Sequence, residues 1–302
     1  METTGRLAAT DQREHTGRNR PGDSIGVFDS GVGGLTVVRE LNRVLPHESI
    51  LYYGDNLHVP YGGRPLGEVR GFALDIVDYL ADSGVKMVIV GCNISSAVAL
   101  GPARRFYSKL PIVGLIDAGA RSAVRAHNRG PIGVIATEGT VATHKYTETI
   151  QALNPDLDVI EQACPEFVPI IEGDLCDSPE AADAVAQALA PLKAAGVSTL
   201  IYGCSHYPLL AKPIRRVMGG ECALVDPAVP LALEARALME SSRMLSRGPM
   251  RERYLVSGER EGFGRIAHRL LGRHLPPIER FSLWREEPIP AAEPALAPVP
   301  SP

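Results

Sequence analysis

Short runs of apolar and β-branched residues alternate along this chain with stretches of helical periodicity, an order that predicts βα units. Ile25–Phe28, Ile50–Tyr53, Val85–Val90, Ile132–Ile135 and Thr199–Tyr202 are nearly continuous apolar runs. That is the pattern of strands buried on both faces of a parallel sheet. Between them, Leu35–Val38 starts an apolar helix, and Val69, Phe72, Ile76, Tyr79 and Leu80 recur at helical spacing over residues 66–82. Ser178-Pro179 caps and starts a helix in which Val185, Leu189 and Leu192 share one face. Gly84 and Gly196 each stop a helix just before a strand. A helix at Leu231–Met239, a strand at Tyr254–Ser257 and a helix containing Phe263, Ile266 and Leu270 follow. Polar residues 1–23 and residues 286–302, Pro/Ala-rich from Pro288, are expected to be disordered.

The pattern repeats. Residues 83–93 and 195–205 align without a gap at an offset of 112, placing Gly84 on Gly196, Ile89 on Ile201, Gly91 on Gly203 and Cys92 on Cys204. A second echo pairs Ile25-Gly26-Val27 with Ile132-Gly133-Val134 at an offset of 107. The chain is therefore expected to hold two similar α/β units with mainly parallel sheets, related by an approximate two-fold axis. Each ends one strand in Gly-Cys, so two thiols aim at one shared cleft from opposite sides.

Candidate chemistry gathers at these strand ends, where an open α/β sheet places its ligands. Cys204-Ser205-His206 puts a thiol two residues from an imidazole, although a lone cysteine is as readily a core residue. Cys92 arrives with Asn93 beside it, and Ser95-Ser96-Ala97 opens a helix whose positive end would lower a nearby thiol's pKa. Asp29-Ser30-Gly31-Val32-Gly33-Gly34 is a glycine-rich strand-to-helix turn, suited to an anion such as a substrate carboxylate. Asp29 and Ser30 are candidates for a substrate's ammonium and carboxylate, with a helix-capping role for Asp29 equally open. Thr36 stands where the last glycine of a dinucleotide fingerprint belongs, and no Gly-Lys-Ser/Thr follows. Asp55, after the second strand, could accept a thiol's proton. The Val59–Pro65 loop is rigid and rich in backbone donors. Cys164, Cys176 and Cys222 have no counterpart in the other unit and read as packing residues.

Composition narrows the alternatives. The 302 residues are 45% hydrophobic, enough for one large or two medium cores. A net charge of −4 with no basic run gives no footprint for nucleic acid, and no apolar stretch approaches the roughly 20 residues that span a bilayer. Five cysteines without CxxC spacing fit a reducing cytoplasm. No cysteine–histidine cluster has zinc spacing, Leu51 stands where a zincin's second histidine belongs after His47-Glu48, and no lysine occupies a strand-end loop suited to pyridoxal.

Five motifs in order resemble glutamate racemases of the Asp/Glu racemase superfamily: Phe28–Gly34, Gly54-Asp55 with Pro60-Tyr61-Gly62, Gly91-Cys92-Asn93, Ala163-Cys164-Pro165 and Gly203–Pro208. The likeness covers roughly residues 24–285. It implies two α/β domains, 24–115 completed by 225–285 and then 116–224, and a cofactor-independent enzyme making D-glutamate for peptidoglycan. A homodimer is expected, with glutamate as the small-molecule partner. Carried over, the resemblance implies Cys92 and Cys204 as catalytic thiols, with Asp55 and His206 as their supports. It also implies substrate contacts at Asp29, Ser30, Tyr61, Gly62, Asn93, Ser205 and His206, and a further site glutamate at Glu172. Two opposed bases can remove and return an α-proton without either swinging across, and thiols titrate near enough to neutrality to serve.

One departure bears on the substrate. Ile94 occupies a position where the family carries a threonine hydroxyl, and Ser95 or Ser96 would have to replace it. Racemisation of aspartate or a hydantoin, and an impaired glutamate-binding regulator, therefore remain open alongside a redox pairing of the two cysteines.

Overall fold

The computed structural model describes Arg20 and residues 22–284; residues 286–302 and all but the end of the N-terminal extension, both expected to be disordered, lie outside that range. Its ten strands form two sheets, all of whose pairings are parallel. The first sheet contains β1 (Ile25–Asp29), β2 (Ile50–Gly54), β3 (Met87–Val90) and β4 (Ile112–Gly114). The second contains β5 (Ile132–Ala136), β6 (Val159–Ala163), β7 (Thr199–Gly203) and β8 (Ala223–Val225). The chain then returns to the first sheet with β9 (Glu252–Val256) and β10 (Ile278–Arg280).

Strand order confirms the internal repeat. The second sheet runs β6-β5-β7-β8, and the first contains β2-β1-β3-β4 in the corresponding order, extended by β9 and β10 beyond β2. Every residue of β1, β2, β3, β5 and β7 is buried, which is why these five read as continuous apolar runs. Helices cover both faces of each sheet. On one face of the first sheet, Ile25, Val27, Tyr52 and Tyr254 pack with residues of the helices Leu35–Val44, Ala228–Ser241 and Glu261–Leu271. On the other, Phe28, Tyr53, Val88 and Val90 meet the helices Leu66–Asp82 and Asn93–Phe106.

Several boundaries differ from expectation for local reasons. β3 begins at Met87 rather than Val85; the Lys86 backbone still donates to the Ser24 carbonyl, while its fully buried side chain pairs with Glu48 and donates to the Met244 carbonyl. Removing one partner of such a pair strands a buried charge, at a cost of about 3–5 kcal/mol. Residues 136–143, which follow β5 as the glycine-rich turn follows β1, contain a short helix, Glu138–Ala142, capped by Thr137. The helix after Cys92 opens at Asn93, two residues earlier than expected, with Cys92 at its N-cap position.

Candidate active site

The carboxyl ends of β1, β2, β3, β5 and β7 converge where the two sheets face each other. Asp29, Asp55, Cys92, Thr137 and Cys204 sit at or just beyond those ends. Cys92 and Cys204, only 4% and 7% exposed, line the same cavity. Ser30, Tyr61, Gly62, Asn93, Ile94, Ser205 and His206 line it too, so most of the residues singled out from sequence share one cavity. The space is about 20 Å³, room for roughly one water molecule. Backbone economy closes it: a Cβ on Gly62 would come within 2.6 Å of Thr137, and one on Gly139 within 2.5 Å of Ile94. The halves therefore meet closely at positions where only hydrogen fits.

The environments of the thiols differ. Cys204 Sγ lies 3.8 Å from His206 Nδ1, and His206 Nε2 lies 2.7 Å from Glu172 Oε1. Burial opposes charge on this imidazole, but contact with Cys204 and Glu172 outweighs it and holds His206 well above the ordinary histidine range. Glu172 thus stands in line with Cys204 through the ring. Cys92 Sγ, by contrast, is 3.9 Å from Ser30 Oγ and has no imidazole. Burial, then the charge of Asp29, pushes its thiol up to about 12, with Ser95 offsetting part of the rise. The expected lowering by the helix N-terminus is overturned: desolvation of the thiolate exceeds the dipole's help.

Asp29 and Ser205 tie the two sheets together. Asp29 accepts from the Gly31 backbone at 2.9 Å and from Ser205 Oγ at 2.8 Å. Its carboxyl is raised above the usual range, chiefly by burial, with His206 pulling the other way. Gly33 lies directly against this junction, since a Cβ there would sit 2.4 Å from Ser205 Oγ and 2.5 Å from His206 Nδ1.

Asp55 has other partners than the thiol expected beside it. It accepts from Tyr61 Oη at 2.5 Å and Ser257 Oγ at 2.7 Å, and His58 Nδ1 lies 2.9 Å from both of its oxygens. The carboxylate acting on Cys92 is Asp29. Asn93 accepts from Tyr146 Oη at 2.7 Å, which leaves its buried Nδ2 without a protein partner among the described residues. Ser96, a candidate replacement for the hydroxyl missing at Ile94, is spent on the Val90 carbonyl and the Leu115 N–H.

Sequence reading overlooked Thr137 and Thr140, which line the cavity and lie 3.0 Å apart, oxygen to oxygen. The signal was present. Carrying the 107-residue echo forward places Thr137 on Ser30, a hydroxyl on a hydroxyl.

Acid–base groups from two halves of a molecule, facing one cavity, suit an isomerase that inverts a carbon centre. The chain belongs to the Asp/Glu/Hydantoin racemase family, whose sequence profile matches residues 25–235. A glutamate racemase of Desulforudis audaxviator is 42% identical over 270 residues, covering 87% of this chain and 98% of that one. The crystal structure of a glutamate racemase isoform from Bacillus anthracis superposes with a TM-score of 0.82 at 36% identity, covering 86% of this chain and 97% of its own. A Francisella tularensis glutamate racemase, solved in complex with D-glutamate, gives a TM-score of 0.82 at 28% identity over 87% of this chain and 98% of that one.

Proposed function

We propose that this protein interconverts L- and D-glutamate by a two-base mechanism, with Cys92 and Cys204 as the bases. The reading rests above all on the two thiols, from corresponding strand ends of different sheets, lining a single cavity. It is supported by the glutamate racemases this chain resembles, one of them solved with D-glutamate. A thiolate on one side takes the α-proton, and a thiol on the other delivers a proton to the opposite face. Each turnover leaves the two sulfurs with exchanged proton states, and the reverse turnover resets them.

Cys92, held protonated by burial and Asp29, is the donor when reaction begins at Cys204. His206, backed by Glu172, manages the proton at Cys204. The substrate carboxylate must be held as negative charge builds on the α-carbon. The unpartnered Asn93 Nδ2 and the hydroxyls of Ser30 and Thr137 supply donors for it. The cavity is smaller than glutamate, so binding parts the two halves along the Gly62–Thr137 and Gly139–Ile94 seams. In the cell the enzyme supplies D-glutamate for peptidoglycan, working in the cytoplasm as a homodimer.

The test measures loss of optical activity with L-glutamate, L-aspartate and a hydantoin, with no cofactor added. Glutamate alone should racemise. Faster turnover of either competitor, or glutamate binding by calorimetry without turnover, would overturn the assignment.

A further inference from the structure

Asp55 sits at the centre of contacts that reach from the cavity to the end of the described chain. Tyr61, which lines the cavity, donates its hydroxyl to Asp55; Ser257, just after β9, donates to the other oxygen; His58 faces both. Three partners fix the carboxylate, and the carboxylate in turn fixes the Tyr61 ring. His58 is the least constrained of the three, lying near the surface with a side chain 19% exposed. Packing decides its orientation. One face stacks on Phe72 at 4.1 Å, and Trp284 abuts the imidazole edge-on, with centroids 4.7 Å apart at 87°.

Trp284 is itself anchored. Its indole N–H donates to Asp75 at 3.2 Å, its edge meets Phe72 at 5.3 Å, and its backbone N–H donates to Ser282 Oγ. Just upstream, Phe281 donates its N–H to the Val256 carbonyl and packs on Tyr79. The returning C-terminal segment therefore delivers two groups to the same carboxylate, Ser257 directly and Trp284 through His58.

We propose that Trp284 and His58 are positioning residues of the active site, a latch by which the C-terminal segment holds Asp55 and hence the Tyr61 wall of the cavity in register. The proposal rests on the reading that glutamate is racemised in that cavity. Neither latch residue touches the cavity, so each acts on turnover through Asp55.

The experiment compares racemisation kinetics, melting temperature and fluorescence in wild type, Trp284→Ala, Trp284→Phe, His58→Ala, His58→Asn and the double alanine variant. Misplacement of a site wall from a distance lowers kcat/KM by about ten- to a hundredfold. That loss is expected in Trp284→Ala and His58→Ala, with most of it recovered in Trp284→Phe, which keeps an aromatic edge, and in His58→Asn, which keeps a donor for Asp55. The double variant should be no worse than His58→Ala alone, because the two residues act in series. Trp284 is the chain's sole tryptophan, so emission reports the latch directly. Adding D-glutamate should change that emission in wild type and not in His58→Ala.

Unchanged kinetics in an active, folded Trp284→Ala protein would overturn the latch and leave the racemase reading intact. So would additive losses in the double variant, or a fall in melting temperature that Trp284→Phe does not reverse alongside kcat/KM. A wild-type protein inactive on glutamate would remove the functional reading and the latch with it.

Discussion

The two halves of this molecule share a frame and differ in chemistry. The 112-residue offset that superimposes Cys92 on Cys204 also places Asn93 on Ser205 and Ile94 on His206. The 107-residue offset places Asp29 on Ala136 and Ser30 on Thr137. One half therefore presents a thiol with an imidazole beside it, and the other a thiol with hydrocarbon at the equivalent position and a carboxylate nearby. The backbone repeat aims both sulfurs at one space. The side chains make one of them, Cys92, hard to ionise, with its thiol pushed up to about 12. A duplicated fold thus supplies symmetry of position, while unlike side chains at matching sites give the two thiols different surroundings.

Breaking either half should cost the most. Cys92→Ala and Cys204→Ala should each reduce racemisation by about 10²- to 10⁴-fold, measured by circular dichroism with L- and D-glutamate. The comparison sharpens in deuterated solvent. The thiol left in each variant reaches only one face of the α-carbon, so each should exchange the α-hydrogen of one enantiomer, and the two variants should choose opposite enantiomers.

The next effect tests the imidazole. His206→Gln should lower kcat by about a hundredfold, since the proton manager beside Cys204 is gone. Glu172→Gln should do less, about tenfold, and should move the alkaline limb of the pH–rate profile to lower pH. The sign follows from His206, whose raised proton affinity owes part of its rise to Glu172. The same linkage affects stability. His206 contributes stability that is fully present below an ordinary imidazole value of about 6.5 and lost as pH rises through its elevated value. In Glu172→Gln that contribution shrinks, and chemical denaturation at pH 6 and pH 9 should show a smaller difference than in wild type.

Asp29→Asn tests the other half. Removing this charge should bring the Cys92 thiol down from about 12, though not to the ordinary value because burial, the larger cause, remains. Titration of thiolate absorbance in a Cys204→Ala background would read the shift. The smallest effect is expected at Cys222, a buried thiol without a counterpart in the repeat. Cys222→Ala should cost about 1 kcal/mol in denaturant unfolding and leave racemisation unchanged.

Much of the frame was legible in the sequence because the central strands are buried along their whole length and therefore read as apolar runs. The short edge strands were not: β4, β8 and β10 have three residues each, too few to show a period, and β10 is largely exposed. The paired thiols were legible because Gly-Cys recurs at a matching offset. Two aspects of the site were not. Ionisation of Cys92 depends on how fully it is enclosed, which no local pattern encodes, and the helix-end rule pointed the wrong way. The surroundings of Asp55 depend on Ser257, about two hundred positions away, while His58 sits three residues on without a motif to mark it.

Isotope content at the α-carbon during the first turnovers tests the central claim most directly. L-glutamate is incubated with the protein in deuterium oxide without added cofactor, and both enantiomers are recovered at early conversion and weighed by mass spectrometry. Two opposed thiols predict D-glutamate carrying one solvent deuterium while the remaining L-glutamate stays unlabelled. D-glutamate that retains the substrate's own hydrogen would mean a single base serving both faces, and would contradict the account.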